Sequence, residues 1–311
     1  MRILIVGSRN SGKLSPFVTE QMEAICKAGC EVDSFGIIGS GMLGYLKNLP
    51  ALKRKIKAFK PDIIHAHYGL SGLLSVLQRK VPTIITFHGS DIHWAGKLVR
   101  ALSRLAMKGA VHCIFVSEQL HQLSGYKGEN YSIIPCGINM DFFMPLNKLQ
   151  CRKELGWAED GKYIIFAGAF SNVTKNYALA KEAVELLPGV VMIEMKGWTR
   201  EQVVKVMNAG DCLLMTSFHE GSPMVVKEAM SCNRPVVSVD VADVANLIGD
   251  TQGCYIAAMN KEDVSAKILK ALKHQGPTTG RGRMAKLGMN NDHIAKELIS
   301  IYNKILNTKE E

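Results

Sequence analysis

The chain has 311 residues, of which 47% are hydrophobic and 21% are charged, and its formal net charge at pH 7 is +10. This is the composition of an ordinary globular protein, and the length suggests two domains. The opening apolar run, residues 3–6, is too short for a signal sequence, and no apolar run reaches the ~20 residues of a membrane-spanning helix. We therefore expect a cytoplasmic protein that does not cross a membrane.

Alternating apolar runs and helical periodicities predict strands and helices in turn along the first half. The predicted strands are residues 2–6, 31–37, 62–67, 83–88, 112–117 and 131–136. The predicted helices are residues 15–29, 41–60 with an interruption at Pro50, 69–79 and 95–109. Several strands are continuously apolar, which favours a parallel sheet covered on both faces, with ligands beyond the carboxyl ends of its strands.

Periodicity is lost between residues 136 and 150, which we interpret as the end of a first domain and a linker. The strands predicted after it are residues 163–168, 190–195, 212–216, 235–240 and a short one near 254–257. The predicted helices are 174–186, 199–208, one that begins at Ser222, 261–273 and a closing amphipathic helix, 292–308, while residues 276–283 are predicted to form a loop. The predicted domains are 1–145 and 146–290, followed by a closing helix and tail, 291–311.

Cysteine usage and charge distribution narrow the function classes. The eight cysteines are scattered without a C-x-x-C pair, which favours reduced thiols in a cytosolic protein over a disulfide or metal framework.

Residues 1–150 hold 18 Lys and Arg against 9 Asp and Glu, whereas residues 151–311 hold 20 against 19. A basic first half predicts contact with anionic lipid or an anionic acceptor, with a solvated basic face as the alternative. No basic strand interleaved with aromatics and no recognition helix is present in the sequence, so nucleic acid is not expected.

Residues 217–230, with the sequence SFHEGSPMVVKEAM, are the most informative stretch. An apolar strand precedes them, and Ser222 followed by Pro223 is typical of an N-cap and the first residue of a helix. The N–H groups at such a helix start bind anions. Glu220 lies in the turn, and Glu228 points back toward it from the helix. Because two glutamates at this spacing occur by chance, the prediction depends on the strand-turn-helix setting, and a plain helix start is the alternative.

Two further patterns in the first half could hold a ligand. Residues 7–13 fit G-x-x-x-x-G-K, but Leu14 stands where a P-loop needs Ser or Thr for Mg²⁺. We favour a Gly-rich ligand loop containing Gly12, and a P-loop NTPase stays the alternative.

Histidines and one aspartate cluster at the ends of two neighbouring predicted strands, namely His65, His67, His88, Asp91 and His93. A metal site is disfavoured because no closely spaced Cys or carboxylate set completes it. We prefer His88 as a ligand-contacting residue, since the small residues after it leave room for a substrate.

Five motifs follow one another along the chain: DIIHAH at 62–67, FHGSD at 87–91, IPCGIN at 134–139, a loop from Gly168 to Lys175, and the pair Glu220 and Glu228. In this order and spacing they resemble the retaining glycosyltransferases of the GT-B fold, family 4 ("group 1"), of bacterial surface-polysaccharide clusters. The resemblance covers almost the whole chain. It implies an α/β fold of two Rossmann-like domains facing across a cleft, with the last helix packing back toward the first domain.

The resemblance also implies an activity. The protein would be a hexosyltransferase that moves a sugar from a nucleotide-diphosphate sugar to a glycan or lipid-linked acceptor, with retention of configuration and without a metal or other cofactor. The acceptor would bind to the first domain and the nucleotide sugar to the second, in the cytoplasm at the inner face of the membrane. A non-catalytic protein that binds anionic surfaces is the alternative from another class.

Roles for single residues follow from the same resemblance. Lys175, after Gly168, would neutralise the donor diphosphate, and Ser222 with the N–H groups of Met224 and Val225 would bind the same phosphates.

The other roles concern the sugars and the base. Glu228 would accept hydrogen bonds from the ribose hydroxyls, and Glu220 would contact the transferred sugar near its anomeric carbon. His88 would meet the sugar or the leaving phosphate, and Gly197 and Trp198 would border the base.

Two positions depart from the family pattern. Ala169 stands where the family often has an Arg that pairs with the lysine on the diphosphate. Pro223 stands where many members have Gly, so one N–H donor is lost. Arg9 or Lys13 of the first domain is the predicted substitute for the missing cation.

Overall fold

The computed structural model of the protein describes residues 1–92 and 96–307. The chain divides into two compact units: unit 1 contains Met1–Gly137 and the segment that begins at Asn291, and unit 2 contains Ile138–Asn290. The predicted boundary, after residue 145, falls inside unit 2. The reason is that Ile138 and Phe143 are completely buried in the hydrophobic core of unit 2, so residues 138–150 of the expected linker belong to it.

Unit 1 begins with strands and helices that alternate along the chain. Its elements are β1 Arg2–Ser8, α1 Pro16–Lys27, β2 Glu31–Ile37, α2 Gly41–Leu46, α3 Leu49–Phe59, β3 Ile63–His67, α4 Gly69–Val76, β4 Thr83–Phe87, α5 Lys97–Gly109, β5 His112–Phe115, α6 Glu118–Ser124 and β6 Tyr131–Ile133. The strands form one sheet in the order β2-β1-β3-β4-β5-β6, and every neighbouring pair is parallel. Every residue of β3 and β4 is buried, as expected for central strands covered on both faces.

Two segments of unit 1 differ from the sequence predictions. The predicted helix 41–60 is two helices, and the break precedes Pro50, which lies in the first turn of α3 where its missing N–H costs nothing. The side chain of Asn48 occupies the break and donates to the carbonyl oxygens of Ile38 and Gly44. Helix α6 was not predicted; it starts directly after β5, and the Ser117 hydroxyl caps it by accepting from Leu120 N.

Unit 2 repeats the alternation of strands and helices. Its elements are α7 Lys148–Leu155, β7 Lys162–Phe166, a 3₁₀ turn Val173–Lys175, α8 Tyr177–Glu185, β8 Val190–Glu194, α9 Arg200–Ala209, β9 Cys212–Met215, α10 Met224–Ser231, β10 Val236–Val239, α11 Val244–Ile248, β11 Tyr255–Ala257, α12 Lys261–Lys273 and α13 Gly280–Lys286. The sheet order is β11-β10-β9-β7-β8, again with all neighbours parallel.

Three short helices of unit 2, α7, α11 and α13, were not predicted, and the expected loop over 276–283 is wrong for residues 280–283, which form the start of α13. Glycines at positions 280 and 282 disfavour a helix locally. The structure shows why glycine is present: a Cβ on Gly280 would lie 2.7 Å from the carbonyl oxygen of Met230. Helix α13 therefore packs against α10 at a distance that only glycine permits, with Met284 completely buried.

The last helix, α14 Asn291–Asn307, returns to unit 1 and packs against α1. Ile294, Leu298 and Tyr302 are buried there, while Ile301 and Ile305 are partly buried. The predicted fold class, α/β with two Rossmann-like domains and a closing helix on the first, is confirmed. Within the described residues, none of the helices is both long enough and apolar enough to pass through a bilayer.

Candidate functional site

The candidate site lies at the carboxyl edge of the sheet of unit 2. Strands β7 and β9 are neighbours in register, with Phe166 opposite Leu214. The loops that follow them, residues 167–176 and 216–223, therefore leave the sheet side by side. These loops carry most of the predicted donor-binding residues.

Lys175 and Glu220 meet across these two loops. The hydroxyl of Thr216 donates to the carbonyl oxygen of Lys175 over 2.9 Å, and Phe218 N donates to the carbonyl oxygen of Thr174 over 3.0 Å. With the backbones joined in this way, Lys175 Nζ lies 2.5 Å from Glu220 Oε1. Both side chains are mostly buried, with 20% and 15% exposed, so solvent screens this ion pair only partly.

Gly168 makes room for the lysine. A Cβ at this position would lie 2.8 Å from Lys175 Cγ, so the lysine stem crosses directly over the glycine. The carbonyl oxygen of Gly168 also accepts from Met195 N over 3.1 Å, which joins the β7 loop to the loop after β8. Glycine is thus required here by close approach, with its backbone bonded to a third loop of the same edge.

Helix α10 starts at Met224, and its first turn presents N–H groups that have no partner inside the helix. Pro223 occupies the N-cap position, so the prediction that Ser222 caps the helix is wrong. The Ser222 hydroxyl instead donates to Asp243 Oδ2 over 2.6 Å. Burial raises the pKa of Asp243, although the charge of the completely buried Lys227 opposes this. A carboxylate therefore holds the side chain that was predicted to bind phosphate.

Glu228, in the second turn of α10, is 7% exposed. Its Oε1 accepts from Arg200 Nη1 over 3.2 Å. Arg200 is the first residue of α9 and follows the loop of Gly197 and Trp198, which were predicted to border the base. Gly197 has a φ of +81°, and the Trp198 indole N–H donates to the carbonyl oxygen of Glu194 over 2.9 Å. The predicted base and ribose residues thus lie on adjacent segments that an ion pair connects.

Two of the predicted site residues, Gly12 and His88, lie in unit 1. Gly12 adopts a φ of +89° in the loop after β1, and its carbonyl oxygen accepts from Arg9 Nε over 2.8 Å. His88 follows β4, and its Nε2 lies 3.0 Å from Nδ1 of His67. Its Nδ1 lies 3.6 Å from the Cys136 sulfur, so both ring nitrogens contact partners within unit 1.

Asp91 organises the backbone around His88. Its carboxylate accepts from the N–H groups of Gly69, His88 and Gly89 over 2.9, 3.2 and 3.0 Å. Burial raises the pKa of Asp91 to about 6. Across residues 1–92 and 96–307, no group of three or more His, Cys, Asp and Glu side chains could hold a metal ion; the predicted His93 lies outside the described residues.

His67 is expected to make unit 1 sensitive to acid. It is 1% exposed, and burial lowers its pKa to about 3. A histidine with a lowered folded pKa contributes stability above pH 6.5, which is lost as the pH falls toward 3. Between pH 7 and 5 the loss amounts to about 2 kcal/mol. His67→Gln keeps a hydrogen-bonding side chain without titrating, so the unfolding free energy of unit 1 should fall about 2 kcal/mol less over this range than in the wild type.

The measurement is hydrogen exchange of the β3 amides at both pH values, which reports the opening of unit 1. His293→Gln is the matched control, because the His293 side chain is 52% exposed and its replacement should leave the pH dependence unchanged. Equal pH dependence in the wild type and His67→Gln would show that His67 does not cause the acid sensitivity.

Two residues that the sequence analysis did not select belong to the site. Arg200 contacts Glu228, and Asp243 contacts Ser222. Each had a weak signal in the sequence: Arg200 is a cation at a helix start, where the helix dipole disfavours it, and Asp243 follows a strand of the same parallel sheet.

Two family models match the chain, one mostly within unit 1 and the other within unit 2. The model described as Glycosyltransferase Family 4 matches residues 18–142, and the model described as Glycosyl transferases group 1 matches residues 162–274. TuaC of Bacillus subtilis, a glycosyltransferase named for teichuronic acid biosynthesis, is 28% identical over 242 residues, which are 68% of this chain and 61% of TuaC. The chain thus spans less than two thirds of that relative.

A relative from Campylobacter jejuni is matched over more of its length. It is named N,N'-diacetylbacillosaminyl-diphospho-undecaprenol alpha-1,3-N-acetylgalactosaminyltransferase, and it is 24% identical over 307 residues, 84% of this chain and 82% of that protein.

Solved structures share the fold. Sucrose-phosphate synthase from Thermosynechococcus elongatus superposes with a TM-score of 0.83 at 16% identity, covering 99% of this chain and 100% of that one. Anabaena HepE, solved with UDP-glucose, superposes with a TM-score of 0.70 at 15% identity, covering 100% of this chain and 99% of HepE. At these identities the similarity establishes the fold alone.

Proposed function

Because this chain belongs to the group 1 glycosyltransferases, with the two parallel α/β units of the GT-B fold, we propose that it moves a sugar from a nucleotide-diphosphate sugar to a glycan or lipid-linked acceptor. One observation carries the proposal: Lys175 Nζ lies 2.5 Å from Glu220 Oε1, and Glu220 lies four residues before the first helical residue of α10. A cation and the N–H groups of a helix start suit phosphates, and nearby carboxylates suit sugar hydroxyls.

In this proposal Lys175 and the first turn of α10 stabilise the charge that develops on the departing diphosphate. Fixed cations and N–H groups in a partly buried site can supply this stabilisation without a metal ion. Glu228 accepts from the ribose hydroxyls, and Glu220 lies by the anomeric carbon, whose configuration is retained.

The proposed acceptor class rests on the relatives' names and on the basic surface of unit 1. The Campylobacter relative is named for a diphospho-undecaprenol acceptor, and TuaC for teichuronic acid biosynthesis. On helix α5 two leucines, Leu98 and Leu105, are 65% and 55% exposed. The exposed face of this helix also carries four cations, Lys97, Arg100, Arg104 and Lys108.

We propose that this face of α5 contacts anionic lipid at the inner surface of the cytoplasmic membrane. Co-sedimentation with vesicles containing phosphatidylglycerol tests the contact. Binding should weaken at high salt and in a Leu98→Glu, Leu105→Glu variant. Binding that is insensitive to both changes would contradict it.

The donor is tested by thermal-shift screening against UDP, GDP, ADP and their sugar conjugates, with and without EDTA. One nucleotide should stabilise the protein, by about 2.7 kcal/mol at a concentration of 100 Kd, and EDTA should not remove the effect. NMR of the product formed with the selected donor then gives the anomeric configuration.

An ATPase assay and the vesicle co-sedimentation, read together with the thermal-shift screen, separate the alternatives. Mg²⁺-dependent ATP hydrolysis that Lys13→Ala abolishes would support a P-loop NTPase instead. Vesicle binding without affinity for any nucleotide sugar would support a non-catalytic binding protein.

A further inference from the structure

Arg200 lies at a position that helix formation does not explain. It is the first residue of α9, where the positive end of the helix dipole disfavours a cation. The start of α9 is already capped, because Thr199 and Gln202 form a reciprocal capping box. The reason for an arginine here must therefore lie in what its side chain contacts.

The guanidinium of Arg200 is held between a carboxylate and two aromatic rings. Its Nη1 donates to Glu228 Oε1 over 3.2 Å, and its central carbon lies 4.7 Å from the ring centroid of Phe143 and 5.5 Å from that of Phe142. The Phe143 ring is completely buried. Stacking on rings is a contact that arginine makes and lysine does not reproduce.

Hydrogen bonds hold the segment that carries the rings of Phe142 and Phe143 in place. Arg281 Nη1 donates to the carbonyl oxygens of Met140 and Phe143 over 2.6 and 3.0 Å. Phe142 N donates to the Asn139 side chain over 3.0 Å, which closes a turn just before the two rings. The guanidinium thus packs on a segment of unit 2 that several hydrogen bonds hold in place. Through its own hydrogen bond it restrains the carboxylate of Glu228.

We propose that Arg200 is a positioning residue of the donor site, which fixes Glu228 so that the site selects a ribose that carries both hydroxyls. The inference rests on the proposed function, in which Glu228 accepts from those hydroxyls. Glu228 is 7% exposed, and a carboxylate so buried needs a partner to stay ionised. Arg200 supplies that charge and restrains the rotation of the carboxylate through Oε1.

The test compares ribonucleotides with 2′-deoxyribonucleotides in a double-mutant cycle. Calorimetry measures the Kd of UDP and 2′-deoxy-UDP, or of GDP and 2′-deoxy-GDP if GDP binds more tightly, for the wild type, Arg200→Met, Glu228→Gln and the double variant. We expect Arg200→Met to weaken the ribonucleotide about tenfold and the deoxyribonucleotide less than about twofold. In the Glu228→Gln background, Arg200→Met should have no further effect.

Two more variants test whether Arg200→Met changes nucleotide binding only by disturbing the local structure. Arg200→Lys keeps the charge but loses the planar contact, so its preference for ribose should lie between those of the wild type and Arg200→Met. Lys205→Met is the matched control: it also removes an ion pair of α9, with Glu154, and it should change neither Kd.

The outcomes separate the inference from the proposed function. Equal weakening of both nucleotides by Arg200→Met, or additive effects in the double variant, would overturn the role of Arg200 and leave the proposed function standing. If the wild type binds no nucleoside diphosphate, the proposed function fails and the inference fails with it.

Discussion

Replacing Lys175 with methionine is expected to weaken the binding of nucleoside diphosphates about 10- to 100-fold and to lower turnover about 100- to 1,000-fold. The ammonium lies 2.5 Å from Glu220 Oε1, and the lysine stem crosses directly over Gly168. Methionine keeps the length and the apolar stem, so the change removes mainly the charge. The larger effect on turnover follows because the negative charge on the diphosphate grows as the sugar departs.

Isothermal calorimetry and steady-state kinetics with the selected donor measure the two quantities. Lys181→Met is the control, since the ion pair of Lys181 with Glu185 on α8 is largely exposed and should contribute little. An affinity for the diphosphate that survives Lys175→Met would remove Lys175 from the phosphate site.

Replacing Glu220 with glutamine is expected to affect binding and turnover in opposite directions. Turnover should fall about 100-fold or more, because the carboxylate assigned to the anomeric carbon loses its charge. The affinity for the plain nucleoside diphosphate should rise about 3- to 10-fold, because Lys175 no longer shares its charge with a carboxylate and one source of repulsion is gone. Few structural defects would tighten binding while they slow the reaction.

The inhibition constant of the free nucleoside diphosphate and the turnover number give this comparison directly. Glu185→Gln serves as the matched control on α8, and it should alter neither quantity. If Glu220→Gln weakened nucleotide binding, the carboxylate would contact the nucleotide directly and would not compete with the diphosphate for the charge of Lys175.

The strands and long helices could be predicted because their signals are local. A buried parallel strand is a continuous apolar run, as in β9, and α12 was predicted with the bounds that it has. Helices α7 and α11 were missed because they are eight and five residues long, too short for a periodicity to emerge. Helix α13 was missed because its glycine serves a contact with Met230, which lies 50 residues earlier in the chain.

The residues of the candidate site also differ in whether their signals in the sequence are local. Glu220 and Glu228 could be selected because they follow a strand of a parallel sheet, whose strand ends share one edge, whereas Lys175 was selected through the resemblance of its loop to the family pattern. The partners of Glu228 and Ser222 could not, since Arg200 and Asp243 lie 28 and 21 residues away on other loops. Pairing between loops depends on side-chain directions that periodicity does not encode.

The return of α14 to unit 1 determines the order in which the molecule can be completed. The core of unit 1 includes Leu298 and Tyr302, and the Tyr302 hydroxyl lies 2.6 Å from Nδ1 of His65 in β3. These residues leave the ribosome after all of unit 2 has been made. Unit 1 is therefore translated first but can complete its core only after α14 has been made. Unit 2 is an uninterrupted stretch of chain and can fold before that.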